Sequence, residues 1–206
     1  MHSPKISIVV PIHKTMKHGD FFLWRLVQSI MSQTFKDYEV VITQEGSMPV
    51  NTNAGIKKAK GEIIKIMYLD DYFAHPNALQ AIVNAFTEED TWLVTGCLHQ
   101  DSSPETLEEP HSPHYPTYSP DIYTGNNTIG SPSILAIRNN SPLLFDENLS
   151  YLLDCDLYYR YYQKHGPPKI LNDLNMVIGL HPDQTSNRMS QKEKLLEYDY
   201  VIQKFK

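Results

Sequence analysis

The sequence predicts an α/β domain built on a mostly parallel central sheet. Two observations lead there. Through the first hundred residues, short β-branched runs alternate with helix-spaced amphipathic segments, the pattern of chains that lay helices on a parallel sheet. The chain has 206 residues, 41% apolar and 20% charged, enough for one full core and far from the composition of disordered chains.

Ile6-Ser7-Ile8-Val9-Val10-Pro11 is a β-branched run ended by proline and reads as a buried strand. Residues 21–32 place Phe22, Leu26 and Ile30, with Leu23 and Val27 beside them, at helical spacing. Gly19-Asp20 ahead of them offers a break and a candidate N-cap. Residues 38–43 read as a second strand, followed by a turn at Gln44-Glu45-Gly46-Ser47. Residues 53–60 read as a helix, with Gly61 where a left-handed terminating residue is wanted. Residues 62–69 form a third strand that runs into Asp70-Asp71. Residues 76–86 form a helix with proline in its first turn, and 92–98 a fourth strand.

Residues 99–121 carry five prolines (Pro104, Pro110, Pro113, Pro116 and Pro120) and no apolar period, the mark of a long functional or disordered loop. Beyond it, 132–138 read as a strand, 153–164 as a helix and 169–179 as a strand pair or a strand and turn. Residues 191–205 read as an amphipathic helix that either packs on its own domain or serves a homodimer. The expected organisation is one domain over 1–206: a first half to 98, the proline-rich loop at 99–121, a second half over 122–190 and the C-terminal helix.

A net charge of -6 disfavours general binding to nucleic acid phosphates. The longest early apolar run, residues 6–12, falls far short of the ~20 residues of a membrane span, so no transmembrane segment is expected. Met1-His2-Ser3-Pro4-Lys5 opens no leader pattern. Cys97 and Cys155, alone and far apart, form neither a disulfide framework nor a zinc motif, and the expected compartment is the cytoplasm.

In parallel sheets ligands bind beyond the carboxyl ends of the strands, so Pro11, Gln44-Glu45 and Asp70-Asp71 are expected on one rim. Two adjacent carboxylates repel each other and cost desolvation; a divalent cation such as manganese or magnesium relieves both penalties. The same pair also fits a turn cap before Pro76. Asp154-Cys155-Asp156 opens a helix, where acidic residues are favoured for dipole reasons alone. Positions two apart do not share a face, so at most one of the two enters a site and the other caps or solvates the helix start. His181-Pro182 fits a turn, or a ligand to metal or phosphate if it reaches the rim. The small polar run 127–133 suits close backbone approach to a ligand, or an ordinary turn. Tyr158, Tyr159, Tyr161 and Tyr162 are assigned mostly to the core.

The order of these pieces resembles the family 2 glycosyltransferases. Residues 6–12 resemble the family's opening strand, and residues 28–42 its first helix, its SxxxQxF turn and its second strand. Asn53-Ala54-Gly55-Ile56, Ala59-Lys60-Gly61-Glu62-Ile63-Ile64 and Leu69-Asp70-Asp71 are similar to the stretch that ends in the carboxylate motif. Gly130-Ser131-Pro132-Ser133, Phe145-Asp146-Glu147-Asn148-Leu149, residues 154–160 and His181-Pro182-Asp183-Gln184-Thr185-Ser186 follow in the family's order, so the resemblance covers about residues 5 to 190.

The resemblance implies a GT-A fold: a Rossmann-like three-layer α/β/α sandwich. It implies an inverting, metal-dependent transfer from a UDP- or GDP-sugar to a carbohydrate or other hydroxyl acceptor. Pro11, Gln44, Glu45, Asn53, Asp70 and Asp71 would bind the nucleotide-sugar. Asp70, Asp71 and His181 would hold Mn2+ or Mg2+, and Asp154 would be the general base. The chain departs from the family at four places: Gln44-Glu45 for an acidic pair, Thr52 for an arginine, Tyr72 for the third acidic position and Leu153 for the glutamate before the base. These departures motivate a rival reading, a weakly catalytic binding relic of the fold. A nucleotidyltransferase would want a glycine-rich loop after the first strand, and Ile12-His13-Lys14-Thr15 has no glycine.

Overall fold

Among the described residues, eight strands form one sheet: β1 (Ile6–Pro11), β2 (Tyr38–Thr43), β3 (Ile63–Ile66), β4 (Tyr72–Phe73), β5 (Trp92–Asp101), β6 (His111–His114), β7 (Leu135–Arg138) and β8 (Lys169–Leu180). Six α-helices of the described residues accompany it: α1 (Gly19–Met31), α2 (Met48–Lys58), α3 (Ala78–Ala85), α4 (Leu153–His165), α5 (Thr185–Arg188) and α6 (Gln191–Phe205). The structure is a computed structural model and describes residues 3–13, 17–102, 105 and 108–206. Met1-His2, Lys14-Thr15 and Pro104 of the sequence reading lie outside the described residues.

The strand order is β2-β1-β3-β7-β5-β8-β4, with β6 paired to β5. Adjacent residues of β2 reach helices on opposite faces of the sheet. Tyr38 Oη donates to Ile30 O at the end of α1, whereas the Glu39 carboxylate accepts from Lys60 N just past α2. The sheet is the middle of three layers, as an α/β/α sandwich requires.

The sheet is mixed, where the sequence reading expected it mostly parallel. β1 runs parallel to β2 and β3, and β5 parallel to β8. β7 enters between β3 and β5 antiparallel to both, and β4 and β6 add antiparallel edges. A parallel neighbour needs a long crossover, usually a helix; β6 instead folds back on β5, which it follows in the chain, and β7 arrives after two single 3-10 turns, at 122–124 and 132–134, with no α-helix among the described residues between. The two halves expected from the sequence therefore interleave in one sheet.

Several local readings change. The N-cap of α1 is His18 at φ 59, so Gly19 and Asp20 lie inside the first turn. α2 starts at Met48 with proline in its first turn, earlier than its apolar period suggested. It ends at Lys58 with an extended Ala59, and Gly61 is not left-handed. Glycine is needed there for close approach: a Cβ on it would stand 2.5 Å from Ser7 N and 2.6 Å from Ile6 C. Ser7 Oγ accepts from Gly61 N at 2.7 Å and donates to Glu39, which fastens this loop to β1 and β2.

The described residues of the proline-rich stretch carry defined structure: β5 runs on to Asp101, β6 pairs back on it, and Tyr118 stacks on Tyr162 at 4.0 Å between ring centres. Residues 169–180 form one strand, with register shifts against β5 around Gly96. The tyrosines of α4 are structural. Tyr158 and Tyr161 are fully buried against Trp92, and Tyr159 packs on Phe205.

α6 packs on its own domain. Val201 is fully buried, and the Glu197 carboxylate accepts the N–H groups of Ser150, Tyr151 and Leu152. Lys204 Nζ reaches Asp146 Oδ2 and Asp156 Oδ1, each at 2.6 Å. Asp156, fully buried, also pairs with Arg160 at 2.6 Å. It is turned from the cavity described below, but it is a buried ionic anchor for α6 rather than a solvated cap. Removing one member of a buried charge cluster costs about 3–5 kcal/mol, well above the ~0.3–1 kcal/mol of a helix-dipole contact. Asp156→Asn is expected to lose stability in the larger range, read in urea melts as a lowered midpoint with the denaturant slope unchanged.

Candidate active site

A cleft of about 410 Å³ opens at the carboxyl ends of β1 and β3. Pro11 ends β1 at its floor, Asp70 and Asp71 enter from the turn after β3, and Asp154 projects from the first turn of α4. His181, one residue past β8, closes the remaining side. Five of the residues singled out from the sequence thus line one cavity, although they come from four separate stretches of chain.

The two aspartates have different surroundings. Asp70 Oδ2 lies 3.2 Å from His181 Nε2, and the His181 ring packs on Phe22 at 5.1 Å. The Asp70 carbonyl accepts from Arg25 Nη2 at 2.6 Å. Arg25 is itself fixed by Gln100 and Ser102 and lies 4.5 Å over the Tyr72 ring. Asp71 is buried: Oδ1 accepts from Gly179 N at 2.9 Å and Oδ2 from Ser131 Oγ at 3.4 Å. Burial, and then the neighbouring Asp70, push the Asp71 carboxyl up to about 8. Asp70 with His181 faces the cavity, while Asp71 braces the turn against β8. A Cβ on Gly179 would stand 2.3 Å from Asp70 O, so glycine is what lets the turn lie on this strand.

Across the cleft, Asp154 Oδ2 accepts from Asn127 Nδ2 at 2.7 Å and Oδ1 from Cys155 N at 2.8 Å. Burial raises its carboxyl to about 6, against the pull of those donors. A carboxylate in that range is ionised at neutral pH yet basic enough to take a proton.

Three residues of the sequence reading do not reach the cavity. Gln44 is exposed past the end of β2, which is the edge strand, one position further out than β1. Glu45 turns to Lys58, 2.6 Å away. Asn53 is buried under α2, where Oδ1 accepts from Phe145 N and Nδ2 donates to Phe145 O and Glu147. Its work is to hold residues 145–147 against the helix. His13 and Met48 line that end of the cavity instead.

Sequence reasoning missed Arg25, Gly179 and Arg188, which lines the cleft from α5 beside Asp183. A lone glycine inside an apolar strand was a usable signal for Gly179; Arg25 carried none, since a polar residue on an amphipathic helix is unremarkable in sequence. Asp101, Glu108 and His111 also bring ligand atoms within 4.8 Å of one another. They sit around the β5–β6 hairpin and do not line the cleft.

The donor set suits a hard divalent cation: carboxylate oxygen from Asp70, imidazole nitrogen from His181 and a second carboxylate one residue on. The like-charge contribution to the raised Asp71 is the penalty such a cation would relieve.

No protein-family model matches the chain. An uncharacterized glycosyltransferase of Rickettsia prowazekii (strain Madrid E) is 23% identical over 239 aligned residues, spanning 97% of this chain and 70% of the relative. The crystal structure of S. aureus TarS 1–349 in complex with UDP-GlcNAc superposes with a TM-score of 0.63 at 15% identity over 90% of this chain. A mannosyltransferase from Pyrobaculum calidifontis, in complex with GDP-Man and Mn2+, superposes at 0.58 with 12% identity over 88% of it. The chain spans 61% and 59% of those two structures. The likeness shows a GT-A fold.

Proposed function

We propose that this chain, a glycosyltransferase of the GT-A type, moves a sugar from a nucleoside diphosphate to an acceptor hydroxyl with inversion at the anomeric carbon. The observation that carries the reading is the single cleft that holds the Asp70–His181 pair on one wall and the raised Asp154 carboxyl on another.

In this reading Asp70 and His181, backed by Asp71, hold Mn2+ or Mg2+. The cation supplies Lewis-acid stabilisation of charge on the departing diphosphate. Pro11, His13 and Met48 line the end of the cleft nearest β1, which suits the nucleoside. Asp154 receives the acceptor's proton as the acceptor oxygen bonds to the anomeric carbon. The bond from that carbon to the diphosphate oxygen breaks, and its electron pair leaves with the nucleoside diphosphate. Transfer in one step needs one base and no carboxylate nucleophile, unlike a retaining hydrolase. The TarS and mannosyltransferase complexes, with UDP-GlcNAc and with GDP-Man and Mn2+, support a UDP- or GDP-sugar donor and a manganese-type cation. Two free, buried cysteines fit a reducing compartment, and no helix among the described residues is long and apolar enough to cross a membrane.

Calorimetry with UDP and GDP, in manganese and in EDTA, tests the reading. Binding is expected only with the cation, because the Asp70-Asp71 pair repels a bare diphosphate. Equal affinity in both buffers would remove the metal role. A thermal-shift screen across UDP, GDP, CDP and TDP then reports the base, since selective binding to the folded state raises its melting temperature.

A further inference from the structure

We propose that Asn127 is a positioning residue for the Asp154 carboxylate, fixing its orientation toward the cleft and favouring its ionised form. The inference rests on the glycosyl-transfer reading and deepens it at the base. Asn127 lies in the loop between Gly125 at φ 90 and Gly130 at φ 120. Its Oδ1 accepts from Ile129 N at 3.1 Å and from Gly130 N at 2.9 Å. The side-chain oxygen is committed to those two N–H groups, so the amide turns its NH2 to Asp154 Oδ2, 2.7 Å away.

The loop is itself fixed. Tyr158 Oη donates to Gly130 O at 3.1 Å, and His114 Nε2 lies 2.8 Å from Ile129 O. With Cys155 N on Oδ1 and Asn127 Nδ2 on Oδ2, each Asp154 oxygen accepts from a donor held in place by the backbone or the turn. Tyr68, Cys155 and Tyr158 are the titratable groups around Asp154, and burial pushes each of them up, so they are neutral at working pH. His13, Asp70, Asp71, Tyr151, His181, Asp183 and Arg188 are the other ionisable groups that line the cleft. A neutral donor at Asn127 favours the carboxylate without placing a competing cation beside it.

Asn127→Asp separates positioning from folding. The new carboxylate still accepts from Ile129 N and Gly130 N, so the turn is kept, but it now faces Asp154 with an oxygen. Two facing carboxyls share a proton, and the pair titrates upward. The Asp154 carboxyl, followed by carbon-13 NMR, is expected to titrate at least about one unit higher in the variant. The acid limb of nucleotide-sugar turnover, with water or an acceptor, should move with it. The rate is expected to fall by at least ~5-fold at pH 6 and ~2-fold at pH 7 and to recover toward pH 9, with manganese-UDP affinity changed less than about two-fold. If the NMR titration and the acid limb stay where the wild type has them, Asn127 does not position Asp154. If the titration moves while neither protein turns over any nucleotide-sugar, the Asn127–Asp154 coupling stands and glycosyl transfer is the reading that fails.

Discussion

Asp154→Asn is expected to keep the fold and the cation-dependent affinity for nucleoside diphosphate while lowering sugar transfer by ~10²–10⁴-fold, the scale of a lost general base. The amide is isosteric and cannot take a proton; its one oxygen can accept from Cys155 N or from Asn127 Nδ2, while the NH2 in place of the other oxygen only donates. A second consequence follows from the raised carboxyl, which sits at about 6 against an ordinary 3.8. Between those values the folded state binds more protons than the unfolded one, so stability falls as pH rises through this window. Above it the deficit persists. Asp154→Asn, free of the deficit, is expected to be more stable than wild type at pH 7 by on the order of 1–3 kcal/mol, with the gain gone below about pH 4. Denaturant melts at the two pH values, set beside transfer rates, check both parts. Asp156→Asn should do the reverse: lose stability and keep its rate per folded molecule. A dead Asp156→Asn beside an active Asp154→Asn would reassign the base.

The second large effect separates the paired aspartates. Asp70→Asn is expected to remove most of the cation-dependent nucleotide affinity, at least ~10-fold, because its carboxylate faces the cleft beside His181. Asp71→Asn should weaken that affinity less. Its carboxyl is already pushed toward the neutral form, and an amide oxygen can still accept from Gly179 N. His181→Ala should resemble Asp70→Asn. Calorimetry with UDP or GDP in manganese gives the ranking, and a larger loss from Asp71→Asn would exchange the two roles.

The architecture was readable because it rests on local chemistry. Residues 6–11, 38–43 and 191–205 carry unbroken periods, and the structure places a strand, a strand and a helix there. The errors lie where distant parts decide. The period of α2 is weak at its start, and Met48 to Thr52 become helical because Pro49 is preset for a first turn and Asn51 ties the helix to Ile12 O. β6 has no apolar period, two histidines and a proline, and exists because β5 offers it an edge.

By itself the sequence determined that the chain is an α/β domain, and it singled out four titratable residues that the fold brings to one cleft: Asp70, Asp71, Asp154 and His181. A carboxylate pair at a strand end is a chemical fact before the chain folds, whereas the choice of Asp154 over Asp156, and of His181, came from the order of motifs that the chain shares with the family it resembles. The tertiary structure decided their surroundings. The N–H of Gly179, from a strand more than a hundred residues away, captures Asp71 and leaves Asp70 to meet His181. Strand order puts β2 at the edge and carries Gln44 and Glu45 off the rim. Burial beside Asn127, set against the ion pairs of Asp156 with Arg160 and Lys204, tells two aspartates on one turn of helix apart. Such distinctions depend on desolvation and on partners distant in the chain, and neither is encoded in the spacing of neighbouring residues.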